Sequence, residues 1–559
     1  MNQALQEEFR AKTISAQQAA ALVKSGQQVY LGCCTSYARA IADALAARSE
    51  ELEDVTIGCS NIIPPMTVLD CAHPQAFRIS TYFMGYEERR AWKAGRADFT
   101  SVHLGQVDQW CRETFHPDLA FFDVSLPDEE GYMSFGASGC CMHPFIQEET
   151  DNIVLQINRF SPYVTGQRTK IHISQARHVV WADVEKETIP GGPAEEDPTV
   201  AAMSRYLLDQ IPDGACIQLG IGGVATAVGY GLMSKNDLGC HTEMMSDSIM
   251  ALMKAGVINN SRPKFIPGRT VVGFAFGSRA LYEFLDHNED LFFGPFPVVN
   301  NPVNIAQNDN MISINTAMSI DLFGQVAAEG MGTRQFSGTG GQGDYVRGAQ
   351  LAKGGKSFLA FSSTVGVGSD GAPKSRIVPT FPPATIVTTP RSDVQYVVTE
   401  YGVVNLKPLT TRDRARALID LAHQDCRGML TAEAKSIPLI HEMARQSGAA
   451  KYFIARKGPK AYMPDPLHVV DKSITTAEEQ ELYLGRDDAD LIRGKRILLM
   501  DDVISTGGSL HAMEALVKMA GGTVAGRVAV LAEGDAQKRD DIRFLAPLPV
   551  FNADGTVKG

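Results

Sequence analysis

The chain has 559 residues, of which 44% are hydrophobic and 21% are charged. These fractions are typical of folded globular proteins and differ from those of collagen-like, disordered or membrane-embedded chains. A formal net charge of −12, spread along the chain, disfavours binding to nucleic acid or anionic lipid, so anionic ligands must be bound by local sites.

The N-terminus and the cysteines give a first expectation of where the protein works. Residues 1–10 lack a basic segment leading into an apolar one, and no apolar run is long enough to span a bilayer, so we expect a cytoplasmic protein. Ten cysteines include the adjacent pairs Cys33-Cys34 and Cys140-Cys141, without C-x-x-C or zinc-finger spacing. We interpret them as buried free thiols in a reducing compartment.

Strand-length apolar runs alternate with helix-like stretches along most of the chain. Residues 28–31, for example, are followed by Ala38, Ile41 and Leu45 at helical spacing. This alternation predicts an α/β architecture with largely parallel sheets. A stretch rich in charge, proline and glycine at 185–198 predicts a domain boundary. The predicted domains are 1–190, 199–428 and 429–559.

A glycine turn separates the strand-like residues 215–219 from a helical pattern. Backbone N–H groups in such a turn can approach an anion at the N-terminus of the next helix, although alone the pattern is more often structural. The residues of the turn are Gly220, Ile221, Gly222, Gly223 and Val224.

Glu243 follows in the segment 241–247, just before a run of apolar residues at helical spacing. A second glycine-dense segment, 337–349, is predicted to be an irregular loop that places its backbone close to a ligand. The nearby sequence 354–357 imitates the end of a P-loop but has Gln350 where the first glycine is required. Nucleotide hydrolysis is therefore not predicted there.

Together these motifs resemble the acetyl-CoA hydrolase/transferase family, especially its 4-hydroxybutyrate and butyryl-CoA:acetate CoA-transferases. The resemblance covers residues 1 to about 428. It depends on the segments 131–136, 219–223, 241–244, 313–315, 321–322, 340–342, 375–379 and 399–402. It implies two similar α/β domains with the active site in the cleft between them. By this resemblance Glu243 is the nucleophile, residues 220–224 form the first CoA loop, and the remaining CoA contacts are Met318, Gly340, Gly341 and Gln342.

The implied reaction transfers CoA from an acyl-CoA to a short-chain carboxylate such as acetate, through a glutamyl-CoA thioester on Glu243. A carboxylate is a weak nucleophile towards a thioester unless it is positioned and shielded from water. Hydrolysis of acyl-CoA by the same residues is the alternative, and access of water decides between the two. CoA is a substrate here, no tightly bound cofactor or metal is expected, and a homo-oligomer is the generic expectation.

A different pattern follows in the last predicted domain. Residues 496–500 read as a buried strand with Asp501 and Asp502 at its carboxyl end. Paired carboxylates can hold sugar hydroxyls while a turn rich in hydroxyl groups and glycine binds a phosphate. The residues of that turn, which precede a helix, are Ser505, Thr506, Gly507, Gly508 and Ser509.

This pattern closely resembles the ribose-phosphate loop of type I phosphoribosyltransferases, in particular the adenine and xanthine group. The resemblance spans 429–559 and implies a partial Rossmann-like α/β domain that lacks the N-terminal elements of the base-binding hood. It places residues 433–436 in the pyrophosphate loop. Three roles stay open: regulatory binding of phosphoribosyl pyrophosphate, residual transfer with Mg²⁺ carried by the pyrophosphate, or no activity, as in an unselected fusion. A ligand sensor is therefore the alternative to an enzyme acting at Glu243.

Overall fold

The computed structural model describes residues 1–193, 197–367, 373–422, 428–447, 451–471, 480–552 and 556–557. The chain divides into two compact units. The first unit comprises Met1–Ser363 with Arg376–Leu421, and the second comprises Thr364–Ser375 with Ala422–Gly559. The predicted boundaries at 190 and 428 stay predictions, and residues 194–196 and 423–427 beside them lie outside the described residues.

The first half of the first unit is built on a sheet that is parallel except for one short strand, Ser36–Tyr37. The strand Leu119–Val124 is buried at every position, as expected for a parallel strand covered on both faces. In spatial order the parallel strands are His178–Trp181, Ile153–Ile157, Leu119–Val124, Gln28–Cys33, Val55–Ser60, Phe77–Thr81 and Ala97–Phe99. The α-helices of this half are Gln3–Lys12, Ala16–Ala20, Arg39–Ala46, Thr67–Asp70, Tyr86–Lys93, Gly136–Gly139 and His143–Glu149.

The second half of the first unit has a second sheet, in which only the pair at one edge is antiparallel. In spatial order its strands are Leu291–Phe293, Thr270–Ala275, Gly239–Met245, Cys216–Leu219, Met311–Asn315, Lys356–Ala360, Tyr396–Thr399 and Gly402–Asn405. Its α-helices are Pro198–Leu208, Gly223–Gly231, Asp247–Lys254, Arg279–Leu285, Phe296–Val299, Pro302–Ile305, Gln342–Leu351 and Thr411–Leu421. The predicted α/β architecture with largely parallel sheets is confirmed.

Short strands form small additional ladders, some in the first unit and some in the second. They are Tyr132–Ser134 with Lys170–His172, Ser319–Asp321 with Val326–Ala327 and Ile377–Val378, Gly330–Met331 with Arg334–Gln335, Thr364–Val367 with Pro373–Ser375, and Leu467–Asp471 with Gln480–Leu484.

The two halves of the first unit share one hydrophobic core. Phe122 and Val124 of the first sheet belong to the same buried cluster as Ile217, Met245 and Val272 of the second. Burial of apolar side chains is the main favourable contribution to folding. The two sheets are therefore held in a fixed relation, and a site between them can be rigid.

The segment 337–349 differs from its prediction. A helix, Gln342–Leu351, begins inside it, so the expected irregular loop extends only as far as Gly341. Its glycines allow close packing: a Cβ atom at Gly348 would lie 2.6 Å from the side chain of Ile305. The prediction was wrong here because glycine was interpreted as a helix breaker, whereas these glycines provide room for a neighbouring helix.

The second unit has a parallel sheet and a core of its own. In spatial order the strands are Phe453–Ala455, Gly428–Ala432, Arg496–Ile504, Thr523–Glu533 and Arg543–Leu548. Its α-helices are Ile437–Ser447, Arg486–Ile492 and Gly508–Met519. Leu430, Leu499 and Leu516 are buried in one cluster of this unit. Within the described part of the chain, no helix combines the length and the apolar character needed to cross a bilayer.

Asp501 and Asp502 were predicted at the carboxyl end of a strand over 496–500, and they lie within the longer strand Arg496–Ile504. The strand continues because its neighbour, Thr523–Glu533, is long enough to pair with it as far as Ile504. Asp501, for example, is paired with Ala529. Pairing with a neighbouring strand thus extends this strand into residues that are polar.

Candidate active site

Glu243 lies in the strand Gly239–Met245 of the second sheet. Its Oε2 atom accepts a hydrogen bond of 2.7 Å from Nδ2 of Asn300. Burial raises the pKa of Glu243 to about 7, with a smaller contribution from nearby Asp344 and an opposing one from Asn300. The carboxyl group is thus held in one place and titrates close to neutral pH.

Asn300 and Asp344 were not predicted from the sequence. Asn300 is fully buried and directly follows the short helix Phe296–Val299. Asp344 accepts a hydrogen bond of 2.9 Å from the backbone N–H of Gly105, and burial raises the pKa of Asp344 to about 7. The one available signal was an asparagine that ends the apolar run 291–299, because a buried amide needs a partner.

The buried ring of His241 forms hydrogen bonds that support the site. Its Nε2 donates a hydrogen bond of 2.7 Å to the carbonyl of Val299, and its Nδ1 accepts one of 3.1 Å from Asn308. Burial lowers the pKa of His241 to about 4, so the ring is neutral at pH 7. His241 therefore anchors the backbone just before Asn300.

Gly341 lies against the carboxylate of Glu243. A Cβ atom at this position would be 1.8 Å from Oε2 of Glu243 and 2.1 Å from Nδ2 of Asn300. Contacts this short are impossible, so a side chain at Gly341 would displace both groups. In the first glycine turn, the N–H of Gly220 donates to the carbonyl of Ile314 at 2.8 Å, so this amide is already engaged.

Glu243 lines a cavity of about 180 Å³ between the two halves of the first unit. The structure brings several of the predicted CoA-binding residues to the same cavity, namely Gly220, Ile221, Gly340, Gly341 and Gln342. The first half contributes further lining residues, among them Cys33, Cys34, Asn61, Tyr82, Phe83 and Cys141. The cavity therefore depends on both halves.

A second cavity, of about 340 Å³, adjoins the first. The residues common to both linings are Cys34, Asn61, Gly220, Ile221, Met244 and Phe274. Gly222 lines the second cavity. Gly223 and Val224 are the first two residues of the helix Gly223–Gly231, and neither is among the described residues that line the two cavities. Met318 lies beyond the lining residue Thr316 and is also outside both.

The second unit has a candidate phosphoribosyl site of its own. The hydroxyl of Ser436 is 2.9 Å from Oδ1 of Asp501 and 3.1 Å from Oδ1 of Asp502. Burial raises the pKa of Asp501 to about 6. Gly507 has φ +87°, a left-handed conformation that favours glycine, and the helix Gly508–Met519 begins directly after it. Ser505 and Thr506 complete the turn, while Gly508 and Ser509 are the first residues of the helix.

Comparison with known proteins agrees with this architecture. The N-terminal domain of the acetyl-CoA hydrolase/transferase family matches residues 1–189, its C-terminal domain matches 277–434, and the phosphoribosyl transferase domain matches 430–552. The chain is 39% identical over 438 residues to a succinyl-CoA:cyclohexane-1-carboxylate CoA transferase of Geobacter metallireducens, covering 78% of this chain and 98% of that protein. It is 42% identical over 363 residues to a 4-hydroxybutyrate coenzyme A transferase of Clostridium kluyveri, covering 64% and 82%.

Among solved structures, a 4-hydroxybutyrate CoA-transferase from Porphyromonas gingivalis matches with a TM-score of 0.62 and 32% identity, covering 79% of this chain and 99% of that one. An acetyl-CoA hydrolase of Neurospora crassa is more distant, at 25% identity. The fold and the relatives define the class of the first unit, which is a CoA-transferase. The chain belongs to the acetyl-CoA hydrolase/transferase family and carries a phosphoribosyltransferase-like domain at its C-terminal end.

Proposed function

We propose that Glu243 is the nucleophile of this CoA-transferase and carries CoA as a glutamyl thioester between two half-reactions. The observation that carries the proposal is the position of its carboxylate. The carboxylate lies in a cavity between the two halves of the first unit, where it accepts a hydrogen bond from Asn300 and lies against Gly341. Such fixation and shielding from water are what a weak carboxylate nucleophile needs.

The proposed cycle begins when a carboxylate oxygen of Glu243 attacks the thioester carbon of acyl-CoA. CoA thiolate leaves, and a mixed anhydride between Glu243 and the acyl group remains. The thiolate then attacks the glutamyl carbonyl, which releases the first carboxylate and leaves glutamyl-CoA. An incoming carboxylate repeats the steps in reverse order and departs as the new acyl-CoA. The kinetics are therefore ping-pong.

Asn300 supplies an amide N–H group beside the reacting carboxylate. When CoA thiolate attacks the glutamyl carbonyl of the anhydride, negative charge develops on an oxygen of Glu243, and a fixed donor in a water-poor site stabilises that charge. Removal of one such donor typically lowers kcat by about 100- to 1000-fold. The burial that raises the pKa of Glu243 also makes its carboxylate less solvated and hence more reactive.

The substrates proposed are a short-chain acyl-CoA and a short-chain carboxylate such as acetate. The cavity at Glu243 has a volume of about 180 Å³. It has room for a short acyl group, while the adjoining cavity offers space for the thiol-bearing arm of CoA. Among the relatives, the 4-hydroxybutyrate coenzyme A transferase supports a short acyl chain, whereas the succinyl-CoA:cyclohexane-1-carboxylate CoA transferase is named for a bulkier carboxylate.

The decisive experiment mixes the protein with butyryl-CoA in the absence of any acceptor. We expect one butyrate released per site and a protein mass increased by CoA, with the adduct removed by hydroxylamine. Glu243→Gln abolishes both signals. Glu289→Gln, the same chemical change at an exposed position, retains them.

A second stage separates transfer from hydrolysis. With acetate present, formation of acetyl-CoA without free thiol is expected. Free CoA thiol in the absence of acetate would instead identify a hydrolase. A CoA adduct that persists in Glu243→Gln would overturn the assignment of the nucleophile.

For the second unit we propose binding of phosphoribosyl pyrophosphate without transfer to a base. Support comes from the paired carboxylates of Asp501 and Asp502 next to the turn at Gly507. Mg²⁺ would enter with the pyrophosphate oxygens. Calorimetric titration with phosphoribosyl pyrophosphate and Mg²⁺ is expected to show binding that Asp501→Asn with Asp502→Asn eliminates. Release of pyrophosphate on addition of adenine or xanthine would show residual transferase activity instead.

A further inference from the structure

The two adjacent cysteine pairs meet at the catalytic cavity. Cys33 ends the strand Gln28–Cys33 of the first sheet, and Cys141 lies shortly before the helix His143–Glu149. Although far apart in sequence, their Sγ atoms are 3.7 Å apart. The described cysteines are free, and Cys33, Cys34 and Cys141 all line the cavity that contains Glu243.

A single backbone carbonyl holds the two thiols together. Sγ of Cys33 is 3.2 Å and Sγ of Cys141 is 2.8 Å from the carbonyl oxygen of Ser138. Ser138 is itself fully buried, in the short helix Gly136–Gly139. A disulfide has an S–S distance of about 2.05 Å, so the sulfur atoms must approach each other by about 1.7 Å, through side-chain rotation together with a shift of the backbone that carries them.

We propose that Cys33 and Cys141 form a redox site of this transferase, which an oxidant such as hydrogen peroxide converts to a disulfide that arrests CoA transfer. Thiol reductants restore activity. The site is a modification site separate from the chemistry of Glu243, although it lines the same cavity.

The chemistry assigns a different role to each sulfur atom. The thiolate of Cys33 attacks one peroxide oxygen, the O–O bond breaks, and hydroxide leaves, so that Cys33 becomes a sulfenic acid. The sulfur of Cys141 then attacks Cys33, the S–O bond breaks, and water leaves as the disulfide forms. The hydrogen bond with Cys141 lowers the pKa of Cys33, whereas burial raises the pKa of Cys141. Cys33 is therefore the first to react, since the thiolate is the nucleophile.

A short path connects this pair to the catalytic carboxylate. The carbonyl of Cys141 accepts a hydrogen bond of 3.4 Å from the N–H of Phe296, the first residue of the helix Phe296–Val299. Asn300, which directly follows this helix, holds Glu243. When the disulfide shortens the S–S distance by about 1.7 Å, from 3.7 Å, the backbone at Cys141 moves, and the support of Asn300 moves with it. A misplacement of about 1 Å in an active site lowers rates by on the order of 100-fold, so a part of this shift passed on to Asn300 is enough to arrest transfer.

The test treats the full-length protein with hydrogen peroxide, removes the peroxide with catalase, and measures transfer activity and peptide masses in parallel. We expect a Cys33–Cys141 cross-linked peptide whose yield matches the loss of activity, and recovery of both on reduction with dithiothreitol. Cys71→Ser, a change at a half-buried cysteine outside the cavity lining, behaves like the wild type.

Two further variants assign the roles, each compared with its own untreated activity. Cys33→Ser is expected to keep its activity after peroxide. Cys141→Ser is expected to accumulate a sulfenic acid on Cys33 that dimedone traps, with no cross-link. Peroxide inactivation without the cross-link, or equal inactivation of Cys33→Ser, overturns the proposal. The peptide masses report on the thiols even if Glu243 proved not to be the nucleophile.

Discussion

The carboxyl group of Glu243 touches two neighbours that limit what the site tolerates. Asn300 donates a hydrogen bond to it, and Gly341 lies so close that even a methyl group would not fit between them. Gly341→Ala is therefore expected to displace the carboxylate and lower kcat by on the order of 100-fold, and to reduce the free energy of unfolding by about 1–3 kcal/mol through overpacking. Steady-state kinetics and thermal unfolding measure these effects.

A matched control for this variant is Gly458→Ala. At Gly458 an added Cβ would have no atom within 4 Å, so activity should be unchanged. Gly341→Ala with wild-type kcat would show that Glu243 can work from another position.

The ionisation of Glu243 predicts a pH dependence of catalysis. The nucleophile must be ionised, and burial raises the pKa of Glu243 to about 7. We therefore expect kcat/KM, which reports the free enzyme, to rise with pH, to be half-maximal near pH 7 and to level off about one pH unit higher. Nearby Asp344 contributes to the raised pKa of Glu243, so Asp344→Asn should move the midpoint to lower pH. A midpoint that stays in place in this variant would show that Asp344 is not coupled to Glu243.

At the residue scale, site residues that belong to family motifs could be identified from the sequence, whereas site residues outside these motifs could not. Glu243 and the two glycine segments were found because their residue types and spacing resemble a known family. Asn300 and Asp344 were missed because their importance comes from contacts with residues that are distant in sequence, Glu243 and Gly105. The contact between Cys33 and Cys141 could not be predicted either, because spacing along the chain does not give the distance between two residues in the fold.

At the scale of elements, hydrophobic periodicity correctly predicted strands and helices whose apolar residues are buried on the face that the periodicity indicates. The strand Cys216–Leu219 and the helix Gly223–Gly231 both appear where the sequence indicates them. The helix Gln342–Leu351 was missed because local propensity disfavours glycine in helices by about 1 kcal/mol per residue. Close packing against the helix Pro302–Ile305 offsets that cost, and sequence alone does not show the neighbour.

This packing makes a prediction about Gly348. A methyl group there would lie 2.6 Å from the side chain of Ile305 and would push the two helices apart. Gly348→Ala is therefore expected to reduce the free energy of unfolding by about 1–3 kcal/mol, despite the higher helix propensity of alanine. Urea denaturation measures the change. Leu351→Ala, at an exposed position of the same helix, serves as the control and should change stability by less than about 0.5 kcal/mol.

The double variant Gly348→Ala with Ile305→Ala checks the cause. Removing the isoleucine side chain relieves the clash, so the two changes should be less destabilising together than the sum of their separate effects. Strictly additive effects would show that the contact between the two helices is not the reason for glycine at 348.

At the scale of the whole molecule, the chain combines two α/β units with separate cores. Phe122 and Met245 belong to the core of the first unit, and Leu499 and Leu516 to that of the second. The resemblance of each segment to a known family predicted this combination, and the matches to both families confirm it. The joint site of the two halves of the first unit could be placed only through that resemblance, because periodicity does not reveal how two sheets face each other.

Separate cores predict separate unfolding. Because each core is buried within its own unit, calorimetry of the full chain should resolve two transitions rather than one. A ligand that binds only the folded form stabilises the unit that binds it, by about 2.7 kcal/mol at 100 times its Kd. CoA should therefore raise the transition of the first unit alone, and phosphoribosyl pyrophosphate with Mg²⁺ that of the second. If either ligand raised both transitions equally, the two units would unfold as one cooperative system.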